Sequence, residues 1–100
     1  MQVLLRLAVV LAAIGAAPAL AAEPDGHSLS QACTSCHGVD GRSAGAIPAL
    51  AGRPKDELVS LMLAFREEGS QATIMNRVVR GYSDDELTAL ADYFSSVSSK

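Results

Sequence analysis

The chain has 100 residues, 8 basic and 11 acidic for a formal net charge of −3; 49% are hydrophobic, only 4% are aromatic, and Trp is absent. That length predicts a single domain, and the acidic balance excludes a nucleic-acid binder that works by neutralising phosphates. With two Tyr and two Phe as its only aromatics, so small a domain has little to bury and commonly needs a disulfide, a metal or another staple.

The first segment, Met1 to Ala22, carries Arg6, then the apolar run Leu7 to Ala17, then Pro18-Ala19-Leu20-Ala21. A positive start, an apolar stretch and a small-x-small ending predict a cleaved secretory signal, with cleavage after Ala21 or Ala22. The apolar run is shorter than the roughly 20 residues a spanning helix needs, and no positive stop-transfer flank follows it. Residues 1–22 are thus expected to be a signal and 23–100 an exported, periplasmic domain with no stable membrane span. Losing Arg6 leaves seven basic residues against eleven acidic ones.

Pro24 to Cys36 reads as a first helix, with Asp25 or Ser28 as its cap and Leu29, Ala32, Cys33 and Cys36 on one face. It ends in Cys33-Thr34-Ser35-Cys36-His37, a C-x-x-C-H run, which is the attachment signature of a c-type haem. On a helical turn, sulfurs three residues apart share a face and can bond the two vinyl groups of one porphyrin, while the adjacent His37 faces the iron. The alternatives are a chance match, a zinc half-site or a dithiol redox pair. Zinc wants four ligands and the only other histidine is His27, upstream. A redox dithiol normally follows a strand in an α/β pattern, and none is visible here.

From Gly38 to Pro54, glycine and proline recur without a period, so a loop is expected. Its length and its apolar cluster Ile47-Pro48-Ala49-Leu50-Ala51 suit a loop wrapped on one side of a cofactor. Lys55 to Glu67 is the clearest amphipathic helix: Leu58, Leu61, Met62 and Phe65 repeat at i, i+3, i+4 and i+7, with Pro54 near the start and Gly69 past the end. Ile74 to Arg80 is a further short helix closed by Gly81. Ser83-Asp84-Asp85-Glu86 is a capping box opening a last helix that carries Leu87, Leu90, Ala91 and Phe94 and frays into Ser95 to Lys100. No strand pattern or repeat is present, and the expected fold class is all-α.

Taken together, a first helix ending in CxxCH, a Gly/Pro loop, a middle helix, a methionine and a capped last helix with Leu90 and Tyr93 resemble the class I cytochromes c over nearly the whole mature chain. Cys36-His37-Gly38, Ile47-Pro48-Ala49-Leu50-Ala51-Gly52, Thr73-Ile74-Met75-Asn76-Arg77 and Gly81-Tyr82-Ser83-Asp84-Asp85-Glu86-Leu87 are similar to the haem subunits of flavocytochrome c sulfide dehydrogenases and to related small periplasmic cytochromes. The resemblance implies three to four short helices and loops wrapped around one covalently attached haem c. It also implies that a loop proline carbonyl, here Pro48, accepts a hydrogen bond from the ligand histidine and orients it.

For the sixth iron ligand the mature chain offers Met62 and Met75. Met62 falls on the apolar stripe, where methionine usually packs a core. Met75 lies far in sequence from His37 and inside the matched motif, so it is the expected ligand. His27, close before Cys33, reads as a solvated helix-start residue. Leu29 with Leu90 and Tyr93 match the family's crossing of first and last helices, although Gly26 stands three residues before Leu29 where the family pattern has four. Arg53 and Arg77 are candidates for the haem propionates, since a guanidinium fork suits a carboxylate; surface arginine is the default.

An iron closed by His37 and Met75 has no open position for substrate, and a His/Met pair raises the reduction potential. The expectation is therefore an electron carrier and not an enzyme, with a redox protein as partner. The resemblance points to a FAD-containing sulfide dehydrogenase subunit; the alternative is a free shuttle to a terminal oxidase or another respiratory or photosynthetic complex.

Overall fold

The computed structural model describes residues 23–67 and 74–100. The expected signal over residues 1–22, Gly69 and Thr73 lie outside the described residues. Among the described residues five α-helices follow one another: α1 (Gly26–Ser30), α2 (Thr34–His37), α3 (Lys55–Glu67), α4 (Met75–Val78) and α5 (Asp84–Ser96), with 3-10 turns at Val39–Gly41 and Val79–Gly81. No strand occurs among the described residues, and the class is all-α as expected.

The predicted first helix is two helices. Asp25 caps α1, its carboxylate accepting from the His27 amide at 3.0 Å and the Ser28 hydroxyl at 2.8 Å. After Ser30 the backbone tightens, with amides of Gln31, Ala32 and Cys33 bonding carbonyls three residues back. Hydroxyl groups compete for the carbonyls there: Ser30 donates to His27 O at 2.6 Å and Thr34 to Gln31 O at 2.9 Å. This tightened turn sets the C-x-x-C-H run on its own short helix.

The last helix is the pillar of the fold. Its capping box is formed in full, Ser83 Oγ accepting from the Glu86 amide at 3.2 Å and Glu86 Oε1 from the Ser83 amide at 2.9 Å. Leu87, Leu90, Ala91 and Phe94 are buried along it and meet Leu58 of α3 and Val79. Of the predicted α3 stripe, Leu58 is buried and Met62 and Phe65 pack half-buried, but Leu61 stays 38% exposed. At 100° per residue Leu61 sits about 60° round the helix from Leu58, on the edge of the stripe. The apolar cluster of the loop also divides: Ala51 is buried and Leu50 half-buried, whereas Ile47, Pro48 and Ala49 are exposed.

The crossing of first and last helices is realised despite the displaced glycine. A Cβ placed on Gly26 would stand 2.2 Å from the Ala89 carbonyl oxygen and 3.0 Å from Tyr93 Cβ, so only glycine lets α1 lie against α5. Gly26→Ala is therefore expected to push the helices apart and lower stability by about 2 kcal/mol, read from denaturant unfolding.

The α1 cap also gives a pH signature. The Ser28 hydroxyl first, and then the His27 amide, hold the Asp25 carboxyl below its ordinary 3.8. The folded state thus binds this proton less readily than the unfolded chain, so the contribution is complete above 3.8 and fades as the pH falls through the lower folded value. Asp25→Ala should be less stable than wild type at neutral pH, and thermal melts of the two should draw together as the pH falls below 3.8.

Candidate functional site: the C-x-x-C-H helix and its loop

The C-x-x-C-H run occupies α2 and the residue before it. Cys33, at the N-cap position, is half-buried, and Cys36 is exposed; both are free thiols. His37 is buried, 8% exposed, at the C-terminus of α2, where its amide bonds the Cys33 carbonyl at 2.9 Å. Burial first, and the neighbouring Cys36 second, push the Cys33 thiol above its ordinary 9.0. A dithiol redox centre needs the opposite, a thiol depressed toward neutrality. Nor do three His, Cys, Asp or Glu side chains converge as a metal-holding group among the described residues, which leaves the zinc half-site without completion.

The imidazole has one protein partner. His37 Nδ1 lies 2.6 Å from the Pro48 carbonyl oxygen, across 11 residues of loop. A carbonyl can only accept, so Nδ1 carries the proton and Nε2 presents its lone pair. That is the tautomer a metal ligand needs, held by a backbone acceptor that also fixes the ring plane. Pro48 itself is presented by the turn that follows: the Leu50 and Ala51 amides bond the Gly41 carbonyl at 2.7 and 3.1 Å.

The other expected residues are placed as follows. Met75 opens α4 and is half-buried against the core; Met62 is also half-buried there. His27 is exposed, its ring 5.3 Å from that of Tyr93. Of the two propionate candidates, Arg53 is paired with Glu57 of α3 and Arg77 is exposed. One contact and one backbone feature escaped the sequence reading: Tyr93 donates to Asp40 at 2.9 Å, and Asp40 has a left-handed φ of 54°. The Asp40-Gly41 dipeptide is a turn signal that points to the second; nothing in the sequence pairs Tyr93 with it.

The residues present fit a haem. A nucleophilic sulfur is exposed at Cys36 and another half-buried at Cys33, with a correctly tautomerised imidazole beside them. Large apolar side chains lie open near them in sequence and around Met75: Val39 is 77% exposed, Ile74 71%, and Ile47 and Val78 are exposed too.

Comparison with known proteins agrees with the chemistry. The profile of the cytochrome c family matches residues 24–98. The chain is 33% identical over 78 residues to the cytochrome subunit of sulfide dehydrogenase of Chlorobaculum tepidum, covering 78% of this chain and 71% of that one. It is 36% identical over 88 residues to cytochrome c-553 of Nitratidesulfovibrio vulgaris, covering 83% and 84%. A thiosulfate dehydrogenase electron acceptor of Stutzerimonas stutzeri is 36% identical over 72 residues, 68% of this chain but 33% of the longer relative. The C-x-x-C-H helix, the all-α fold and the match over nearly all described residues lead to one conclusion: the chain belongs to the cytochrome c family, binds covalently attached haem c, and is an electron carrier, not a catalyst.

Proposed function

We propose that this chain is a periplasmic single-haem cytochrome whose haem is tethered by Cys33 and Cys36 and ligated by His37 and Met75, and that it accepts electrons from a sulfide-oxidising flavoprotein. The observation that carries the ligation is the His37 Nδ1–Pro48 carbonyl contact at 2.6 Å, which leaves Nε2 as the coordinating nitrogen. Met75 is preferred to Met62 because it opens the short α4 beside the exposed Ile74 and Val78, whereas Met62 rides the apolar stripe of the long α3. Haem supplies the one-electron couple; the protein supplies ligands of fixed type and a surface for docking. No coordination position is left for substrate, which suits transfer and not turnover.

Residues 1–22, with their arginine, apolar run and small-x-small end, support export to the periplasm. No described helix is long and apolar enough to cross a membrane. The partner is inferred from the names of two relatives, one a subunit of sulfide dehydrogenase and one an acceptor for thiosulfate dehydrogenase. The second reading, a free shuttle, is favoured by the near full-length match to cytochrome c-553.

Met75→Ala should abolish the sulfur-ligand charge-transfer band and drop the reduction potential by a substantial part of the roughly 0.8 V range that axial ligation spans, while Met62→Leu leaves both in place. An unchanged band and potential in Met75→Ala would remove methionine 75 from the iron. For the partner, mild affinity purification from sulfide-grown cells should bring down a flavin-containing chain at one-to-one stoichiometry; a cytochrome that elutes alone while still oxidising membrane complexes would be a shuttle.

A further inference from the structure

A second polar contact begins three residues after His37. Tyr93 Oη donates to Asp40 Oδ1 at 2.9 Å, joining residues 53 apart. Asp40 is the one non-glycine among the described residues with positive φ, at φ 54 and ψ 23. Left-handed backbone is uncommon outside glycine, although Asp tolerates it better than most, and it persists where the surroundings over-determine it. Here those surroundings are visible. Tyr93 takes one carboxylate oxygen, the Arg42 guanidinium stands 3.5 Å from the other, and Arg42 Nε donates to the Ser98 carbonyl at 2.7 Å. Three residues after His37, the chain is pinned to α5 and to the segment that leaves it.

The next residue carries that restraint toward the histidine. Gly41, also left-handed at φ 73, lies so close to Phe94 that an added Cβ would be 2.8 Å from the ring. Its carbonyl accepts the amides of Leu50 and Ala51, and Leu50 is two residues past the Pro48 carbonyl that faces His37. Every link from Tyr93 through Asp40, Gly41, Leu50 and Pro48 to His37 is either a hydrogen bond or a step of one or two residues along the chain.

Resting on the reading of His37 as the iron ligand, we infer that Tyr93 and Asp40 are positioning residues that set the His37 Nδ1–H···O=C Pro48 hydrogen bond, and through it the electron-donating strength of the imidazole. An imidazole whose Nδ1–H is strongly accepted donates more at Nε2 and favours the oxidised iron; a looser acceptor favours the reduced iron. A purely structural Tyr93 would change stability and leave both properties alone.

The test uses the holoprotein. In wild type, NMR should show hyperfine-shifted His37 ring signals with a slowly exchanging Nδ1 proton; their absence would remove the ligand reading, and this inference with it, before any variant is made. With those signals present, Tyr93→Phe deletes only the hydroxyl and keeps the ring beside Phe94 and His27. It should speed exchange of the His37 Nδ1 proton about tenfold and raise the ratio of reduced to oxidised protein at a fixed ambient potential about two- to fivefold. Asp40→Asn, which keeps an oxygen acceptor and tolerates left-handed backbone, should retain slow exchange, and Asp40→Ala should lose it. Unchanged exchange and ratio in Tyr93→Phe, with only a lower melting temperature, overturns the inference while leaving His37 as ligand. If Tyr93→Phe does not mature with haem, equal exchange rates in Asp40→Asn and Asp40→Ala overturn it instead.

Discussion

The structure depends on α5 lying against three different parts of the chain at once. Its Ala89 carbonyl receives the backbone of Gly26, its Phe94 ring covers Gly41, and the Phe94 carbonyl accepts the Gly52 amide at 2.9 Å. Leu87, Leu90 and Ala91 complete the contact with α3 and Val79. The first two of these contacts fit because a side chain is missing on the other side, at Gly26 and Gly41. One helix therefore fixes the entry to the C-x-x-C-H run, the turn that leaves it, and the end of the loop that returns to it. Close packing of this kind is stiff, since interiors at near-crystal density transmit a displacement instead of absorbing it.

That stiffness serves the chemistry of one-electron transfer. A carrier does its work when the ligands are the same before and after the electron arrives, so that little has to move. The Pro48 carbonyl is a backbone acceptor in a loop held two and three residues later, where the Leu50 and Ala51 amides donate to the Gly41 carbonyl, and not a side chain free to rotate. It holds the His37 tautomer without a charged partner, which would bias the iron strongly toward its oxidised state.

Much of this was legible in the sequence, and the legible parts share a cause. C-x-x-C-H, the Ser83–Glu86 capping box and the stripe of α5 are local patterns, in which the chemistry needs particular residues at short spacing, and all three stand in the structure. The α3 stripe was right except at Leu61, where a pattern at helical period cannot say how wide the core is. The break between α1 and α2 was missed because Ser30 and Thr34 choose between backbone carbonyls and solvent only once the chain is packed. Asp40–Tyr93 and Gly26–Ala89 were invisible for a different reason: they join positions 53 and 63 residues apart, and no local period records such a pairing. The Gly26 contact shows how a family pattern displaced by one residue can still be satisfied in space.

The apolar residues left open bear on why the haem is covalent. Val39, Ile47, Ile74 and Val78 are exposed, and the buried apolar core among the described residues is Ala51, Leu58, Val79, Leu87, Leu90, Ala91 and Phe94. Burying a side chain of the Val or Ile class stabilises by roughly 1.5–3 kcal/mol. Covering even two or three of the open ones is thus comparable with the roughly 5–15 kcal/mol by which a whole domain is stable. A cofactor that supplied so large a share by reversible binding would make the fold depend on free haem concentration. Covalent attachment, here proposed through Cys33 and Cys36, removes that dependence: the apolar plate can no longer leave, and a small chain carries part of its core as a permanent bond.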